Sequence, residues 1–121
     1  MGDKKFPIRL QYQATVVGNV TGYVRSEIFH RNRLIACQSI AFRNRTGLRG
    51  NVEIFIKQQD FRSFICDQTT PALGRWYWYP YTQFIKEGEQ IECEQLTCLN
   101  DDILDLVIVG YAVWGTEGAI P

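Results

Sequence analysis

Six arginines, Arg25, Arg31, Arg33, Arg43, Arg45 and Arg49, fall within 25 residues that contain a single acid, Glu27. A guanidinium is a planar fork that makes bidentate bonds to carboxylates and stays usable when partly desolvated, so the chemistry on offer is docking. Arg33 and Arg43 are expected on one face near the two ends of a strand, with Arg31 before it and Arg45 and Arg49 in the loop after it. Such a surface suits acidic protein, including the acidic face of a second copy; the same residues would also serve as a solvated outer face. The second unusual stretch is Trp76-Tyr77-Trp78-Tyr79-Pro80-Tyr81. In a strand its tryptophans point one way and Tyr77 and Tyr79 the other, so one pair anchors the core and the other reaches the surface. Trp76, Trp78 and Tyr79 are therefore candidate interface anchors, and exposed rings would also suit sugar.

The residues of catalysis are sparse. His30 is the one histidine, whereas general-base work, nucleophilic triads and imidazole metal sites all lean on histidine. It reads as a solvated turn residue. Glu92 with Glu94, and Asp101 with Asp102, are paired carboxylates, but glycoside hydrolysis needs two carboxyls across a cleft with one in an apolar setting. They read as solubilising charge. Zinc ligand spacing is missing, and the Asn100-Asp101-Asp102-Asp105 oxygens, a conceivable calcium set, lack the EF-hand pattern and read as a strand-connecting turn. No Gly-rich phosphate motif occurs. The expectation is a protein with no enzymatic activity, no cofactor and no metal.

Charge is segregated along the chain. Residues 1–75 hold twelve of the thirteen Lys and Arg against five acids, and residues 76–121 hold Lys86 against eight acids, so the halves carry +7 and −7. The neutral sum, with pI near 6.6, disfavours nucleic acid, because eight carboxylates would repel phosphates. Opposite charge displayed outward would favour assembly.

What must position these residues is a set of strands, because apolar and polar residues alternate almost from end to end. Ile8, Leu10, Tyr12, Ala14 and Val16 share one face of a first strand. A second runs over Val20 to Phe29. A third, Arg33 to Arg43, places Leu34, Ala36, Ile40 and Phe42 on one face, which Gln38 interrupts. Val52, Ile54 and Ile56 mark a fourth and Phe61 to Cys66 a fifth. A sixth begins at Trp76 to Tyr79 and resumes after Pro80 as Thr82 to Ile85, the proline implying an edge or a bend. Glu87-Gly88 makes a tight turn into a seventh, Gln90 to Leu99, and Asn100-Asp101-Asp102 turns into a central eighth, Ile103 to Trp114. Eight strands and no sustained helical periodicity predict an all-β, single-domain antiparallel two-sheet sandwich over 1–121, an eight-stranded jelly roll, with an immunoglobulin-like sandwich as runner-up. Residues 1–5 and 116–121 read as flexible tails or assembly arms.

At 121 residues and 45% hydrophobic the chain can fill one core without staples. Cys37, Cys66, Cys93 and Cys98 lack the density of a disulfide framework and read as buried thiols. Met1 to Lys5 is polar with no signal-type apolar run behind it, and Ile103 to Trp114 is too short to cross a bilayer as a helix. The expectation is a soluble protein made in the cytoplasm, with no membrane contact.

The strand series, the stretch Tyr79-Pro80-Tyr81-Thr82-Gln83-Phe84-Ile85-Lys86-Glu87-Gly88-Glu89-Gln90-Ile91, and the closing strand Asp105 to Trp114 resemble small virion structural proteins of tailed bacteriophages, of the cement or decoration type. The resemblance spans about residues 75 to 115 and implies a jelly-roll fold, a place in the virion and no catalytic residue. It also implies partners, the major capsid protein or another virion protein, and a homo-oligomer, dimer or trimer, held by many modest contacts. Reversing Arg43 and Arg45 to glutamate is then expected to abolish association and leave the fold intact. The alternatives are a carbohydrate- or receptor-binding β-sandwich, which requires at least two coplanar exposed rings among Trp76, Trp78 and the nearby tyrosines, and a neck, tail or baseplate component.

Overall fold

The alternating pattern becomes nine strands in a computed structural model that describes residues 4–18, 20–29, 34–46, 51–69 and 75–114, with side chains for all of these but 4, 5, 66–69 and 114. They are β1 (Lys4–Thr15), β2 (Gly22–Arg25), β3 (Leu34–Asn44), β4 (Asn51–Gln58), β5 (Phe61–Thr69), β6 (Tyr77–Tyr79), β7 (Phe84–Ile85), β8 (Glu89–Gln95) and β9 (Ile103–Trp114). One sheet runs β1-β9-β3-β6, with β7 also on β3; the other runs β2-β8-β4-β5. Every pairing is antiparallel. Among the described residues there is no helix, and so none long and apolar enough to cross a membrane.

β1 pairs with β9, β2 with β8, β3 with β6 and β7, and β4 with β5. The chain is therefore one long antiparallel ribbon, folded back at the β4–β5 turn and wrapped so that successive pairs alternate between two sheets. That strand order is a jelly roll. β6 and β7 occupy one strand position on β3, split at Pro80, so the nine segments fill the eight positions expected. Lys4 and Lys5 belong to β1, opposite Trp114 and Val113, which corrects the expectation of an arm that far along; 116–121 lies outside the described residues, as does His30.

The core forms where the two inner faces meet. Ile35, Ile40, Phe42, Leu104, Leu106 and Ile108 of one sheet pack in a single cluster with Val24, Val52, Ile54, Ile91 and Cys93 of the other, all at most 1% exposed. Each such side chain contributes about 1.5–3 kcal/mol by leaving water. Cys37, Cys93 and Cys98 are buried and none is in a disulfide; the Cys66 side chain lies outside the described residues. Burial pushes the Cys37 thiol up to about 12.

β3 departs from the expected parity. Its register on β9 shifts between Cys37 and Ser39, a bulge that leaves Gln38 exposed. Ile35 and Cys37 face the core before it, and Ile40 and Phe42 after it, so Leu34 and Ala36 do not share the Ile40 face. Gln38, which interrupts the apolar pattern, is the extra residue. Gly110 sits opposite Cys37; a Cβ there would collide with the Ala36 carbonyl oxygen and lie 3.0 Å from Cys37 Cα. The bulge requires glycine at this position.

At one end of the sandwich a buried polar network ties the sheets together. Asn44 Nδ2 donates to Gln95 Oε1 at 2.9 Å and to Asp102 Oδ2 at 3.1 Å, and Leu99 N donates to Asp102 Oδ2 at 3.0 Å. Gly18 N donates to Asn100 Oδ1 at 2.7 Å. The Asn100–Asp102 oxygens thus hold loops as hydrogen-bond acceptors, and among the described residues no group of His, Cys, Asp and Glu is placed to hold a metal.

Candidate interaction surfaces

Pairing one half of the ribbon against the other puts basic residues opposite acidic ones. Arg43 of β3 and Asp105 of β9 are direct cross-strand partners, as are Arg25 of β2 and Glu92 of β8. Charge separated along the chain is complementarity across strands once the ribbon closes.

Asp105 points to the outer face of its sheet yet is fully buried. Arg43 Nε donates to its Oδ2 at 2.8 Å, Arg45 Nε to Oδ2 at 3.1 Å and Arg45 Nη2 to Oδ1 at 2.7 Å. The bonds to Asp105 raise the Arg45 pKa further. Arg43 also lies over the Trp76 ring, 4.4 Å from its centroid. The expectation that Arg43 and Arg45 stand outward as free docking charges is therefore corrected: a carboxylate from the same subunit already occupies both. Reversing them would set two carboxylates against buried Asp105, so that variant reports on folding as well as on docking. Arg31, Arg33 and Arg49 lie outside the described residues.

The other sheet carries a second cluster that reading by segments misses. Glu92 and Glu94, expected as exposed solubilising charge, are 1% and 8% exposed. Arg25 Nε donates to Glu92 Oε2 at 2.5 Å, Arg62 Nη1 donates to Glu92 Oε1 and Glu94 Oε1 at 2.9 Å each, and Lys57 Nζ is 4.0 Å from Glu92. Tyr23 donates to Glu94 Oε2 at 3.2 Å. Burial alone would raise the Glu92 pKa, but the hydrogen bonds from Arg62 and Arg25 outweigh it and hold the carboxyl below its ordinary value. Arg62 stacks 3.9 Å above the Phe55 ring centroid, and Phe55 meets Phe64 edge to face. The carboxylates are buried under arginine forks and aromatic rings. Only strand pairing reveals this, since Arg25, Lys57, Arg62 and Glu92 lie on four different strands.

The aromatic stretch resolves as its parity requires. Tyr77 and Tyr79 pack against the core as partners of Phe42 and Ile40, and Trp78, the partner of Ala41, faces outward at 46% exposure. Trp76 is half-buried beside Arg43. The interface candidates Trp76, Trp78 and Tyr79 therefore do not share one face. Trp76 and Trp78 are 6.2 Å apart and tilted by 41°, so they do not form the coplanar platform that sugar stacking on tryptophan requires. Tyr79 and Tyr81 are closer to parallel, at 29° and 6.4 Å. Phe84, 52% exposed, stands opposite Ala36 on the same outer face as Trp78. On the second sheet Phe61 and Phe64 are 76% and 57% exposed. Large rings held out at strand positions are the least expected feature of this surface.

No protein-family description matches the chain, and no curated protein matches it. Among solved structures it is similar to an exo-β-1,3-galactanase from Phanerochaete chrysosporium crystallised with galactose, at 14% identity and a TM-score of 0.44, over 90% of this chain and 29% of that one. It is also similar to the infectious bursal disease virus Gt strain, at 16% identity and 0.37, over 92% and 32%. A third likeness is to Eiger TNF from S. frugiperda, at 11% identity and 0.34, over 84% and 92%. The chain thus spans about a third or less of the first two. Likenesses of this size carry no inference about activity, ligand or partner.

Proposed function

We propose that this chain is a non-enzymatic structural protein of a virion, of the cement or decoration type, that attaches to capsid protein or to further copies of itself through aromatic contacts. The observation that carries the reading is the outward placement of Trp78 and Phe84 on one sheet, while Arg43 and Arg45 of that face are already ion-paired to Asp105 of the same chain. A ring fixed on a strand loses little entropy on docking and buries a large apolar area, which is the make-up of an interface anchor. The jelly roll supplies the rigid base, and many copies on a shell turn modest contacts into firm attachment. Its place in this reading is the virion, after synthesis in the host cytoplasm.

Cosedimentation of the purified chain with heads of the encoding phage, prepared from a deletion strain, tests the reading. Wild type is expected to pellet with the heads, and a Trp78→Ser, Phe84→Ser variant to stay in the supernatant with an unchanged melting temperature. Pelleting of the variant at the wild-type level would refute it.

A further inference from the structure

The bulge in β3 and the break between β6 and β7 face each other. Tyr81 N donates to Gln38 O at 3.1 Å and Cys37 N to Gln83 O at 2.9 Å, so the chain after Pro80 leaves the ladder where Gln38 does. Paired irregularities at a sheet edge re-aim side chains. Here they accompany a cleft of about 420 Å³, lined from one sheet by Tyr79, Tyr81 and Gln83, and from the other by Ser63, Phe64 and Glu89.

The lining is selective. It holds three aromatic rings, hydroxyls from Ser63, Tyr79 and Tyr81, the Gln83 amide and one carboxylate, with no Lys or Arg. No described residue hydrogen-bonds those three hydroxyls or that amide. Glu89 Oε1 accepts from Lys86 N at 2.7 Å, which fixes the carboxylate. Burial, then the Glu89 charge, raises the Tyr81 pKa, so its hydroxyl stays a neutral donor. A phosphate or acidic peptide would meet Glu89 and no cation. A wholly apolar ligand would leave the hydroxyls and amide unpaired, which is costly. What fits is a neutral molecule with many hydroxyls and an apolar C–H face, because polarised C–H groups rest against the negative face of an aromatic ring.

We propose that this cleft binds a hexopyranose unit of a neutral glycan, stacked on Tyr81 and Tyr79 and hydrogen-bonded through Gln83, Ser63 and Glu89. The site is separate from Trp78, which faces the other side of its sheet, so the proposal goes beyond the docking reading and stands or falls independently. Particles carrying the chain would then present a sugar-binding surface as well as a stabilising one.

The test is titration of the full chain with linear oligosaccharides of glucose, galactose or N-acetylglucosamine, read by calorimetry and saturation-transfer NMR. At least one series is expected to saturate one site. Tyr81→Ala is expected to weaken it by roughly tenfold and Gln83→Ala by several-fold, whereas Trp78→Ser leaves it unchanged. If Tyr81→Ala melts early, Tyr81→Phe, which keeps the ring, and the exposed Gln83→Ala carry the comparison. Failure of all three series to saturate, loss of binding with Trp78→Ser alone, or saturation by a proline-rich peptide and by no sugar would overturn the proposal. None of these outcomes bears on cosedimentation.

Discussion

Replacing Glu92 with glutamine keeps shape and removes one charge. Glu92 is buried on the outer face of the second sheet and accepts from Arg25 and Arg62. Hydrogen bonds to a charged group contribute ~1.5–3 kcal/mol each. The two arginine side chains are 42% and 37% exposed, so water recovers part of the loss; discounting by about half leaves ~2 kcal/mol. For a domain of this length that lowers Tm by roughly 6–10 °C. The effect also has a pH signature. The folded-state pKa of Glu92 lies below its ordinary value of 4.5, so the contribution is fully present above 4.5 and is lost as pH falls through the folded value. Urea denaturation of wild type and Glu92→Gln should therefore differ at neutral pH, with similar slopes, and converge in acid. Equal midpoints at neutral pH, or a difference that persists at the lowest pH where both fold, would refute the reasoning.

Three further outcomes follow from other parts of the fold. Gly110→Ala forces a Cβ onto the Ala36 carbonyl at the bulge and is expected to cost about 1–3 kcal/mol or more, read as a fall in Tm. Asn44→Ala leaves Gln95 and Asp102 without a shared donor and is expected to cost about 1–3 kcal/mol in urea titration. Arg43→Glu with Arg45→Glu is expected to unfold at lower temperature than wild type, and Asp105→Asn combined with it to recover part of the loss; a wild-type Tm for the double variant would contradict the pairing.

Much of the fold was legible because period-two patterning needs only local sequence. The β9 boundaries, the tight turn at Gly88 and the interruption at Pro80 could all be read residue by residue. Gln38 was visible as a break in pattern, but a break alone does not say whether parity continues or reverses beyond it; the register on β9 decides that. The candidate site was harder. Local sequence shows that Trp78 and Tyr79 point opposite ways, and not which of them meets the core. The arginines and carboxylates were read as separate surfaces because their partners lie 30 to 67 residues away, and only the wrapped ribbon brings Arg43 to Asp105 and Arg25 to Glu92. The cleft beside Tyr81 has no sequence signal, since it arises where two sheet edges face each other.

The proposal that docking is aromatic, with Arg43 and Arg45 already paired to Asp105, is tested most directly by salt. Cosedimentation of the wild-type chain with capsids should be nearly unchanged when NaCl is raised to about 1 M, where the screening length is about 3 Å. Release of the chain into the supernatant as salt rises would show that outward charge holds it, and would contradict the account.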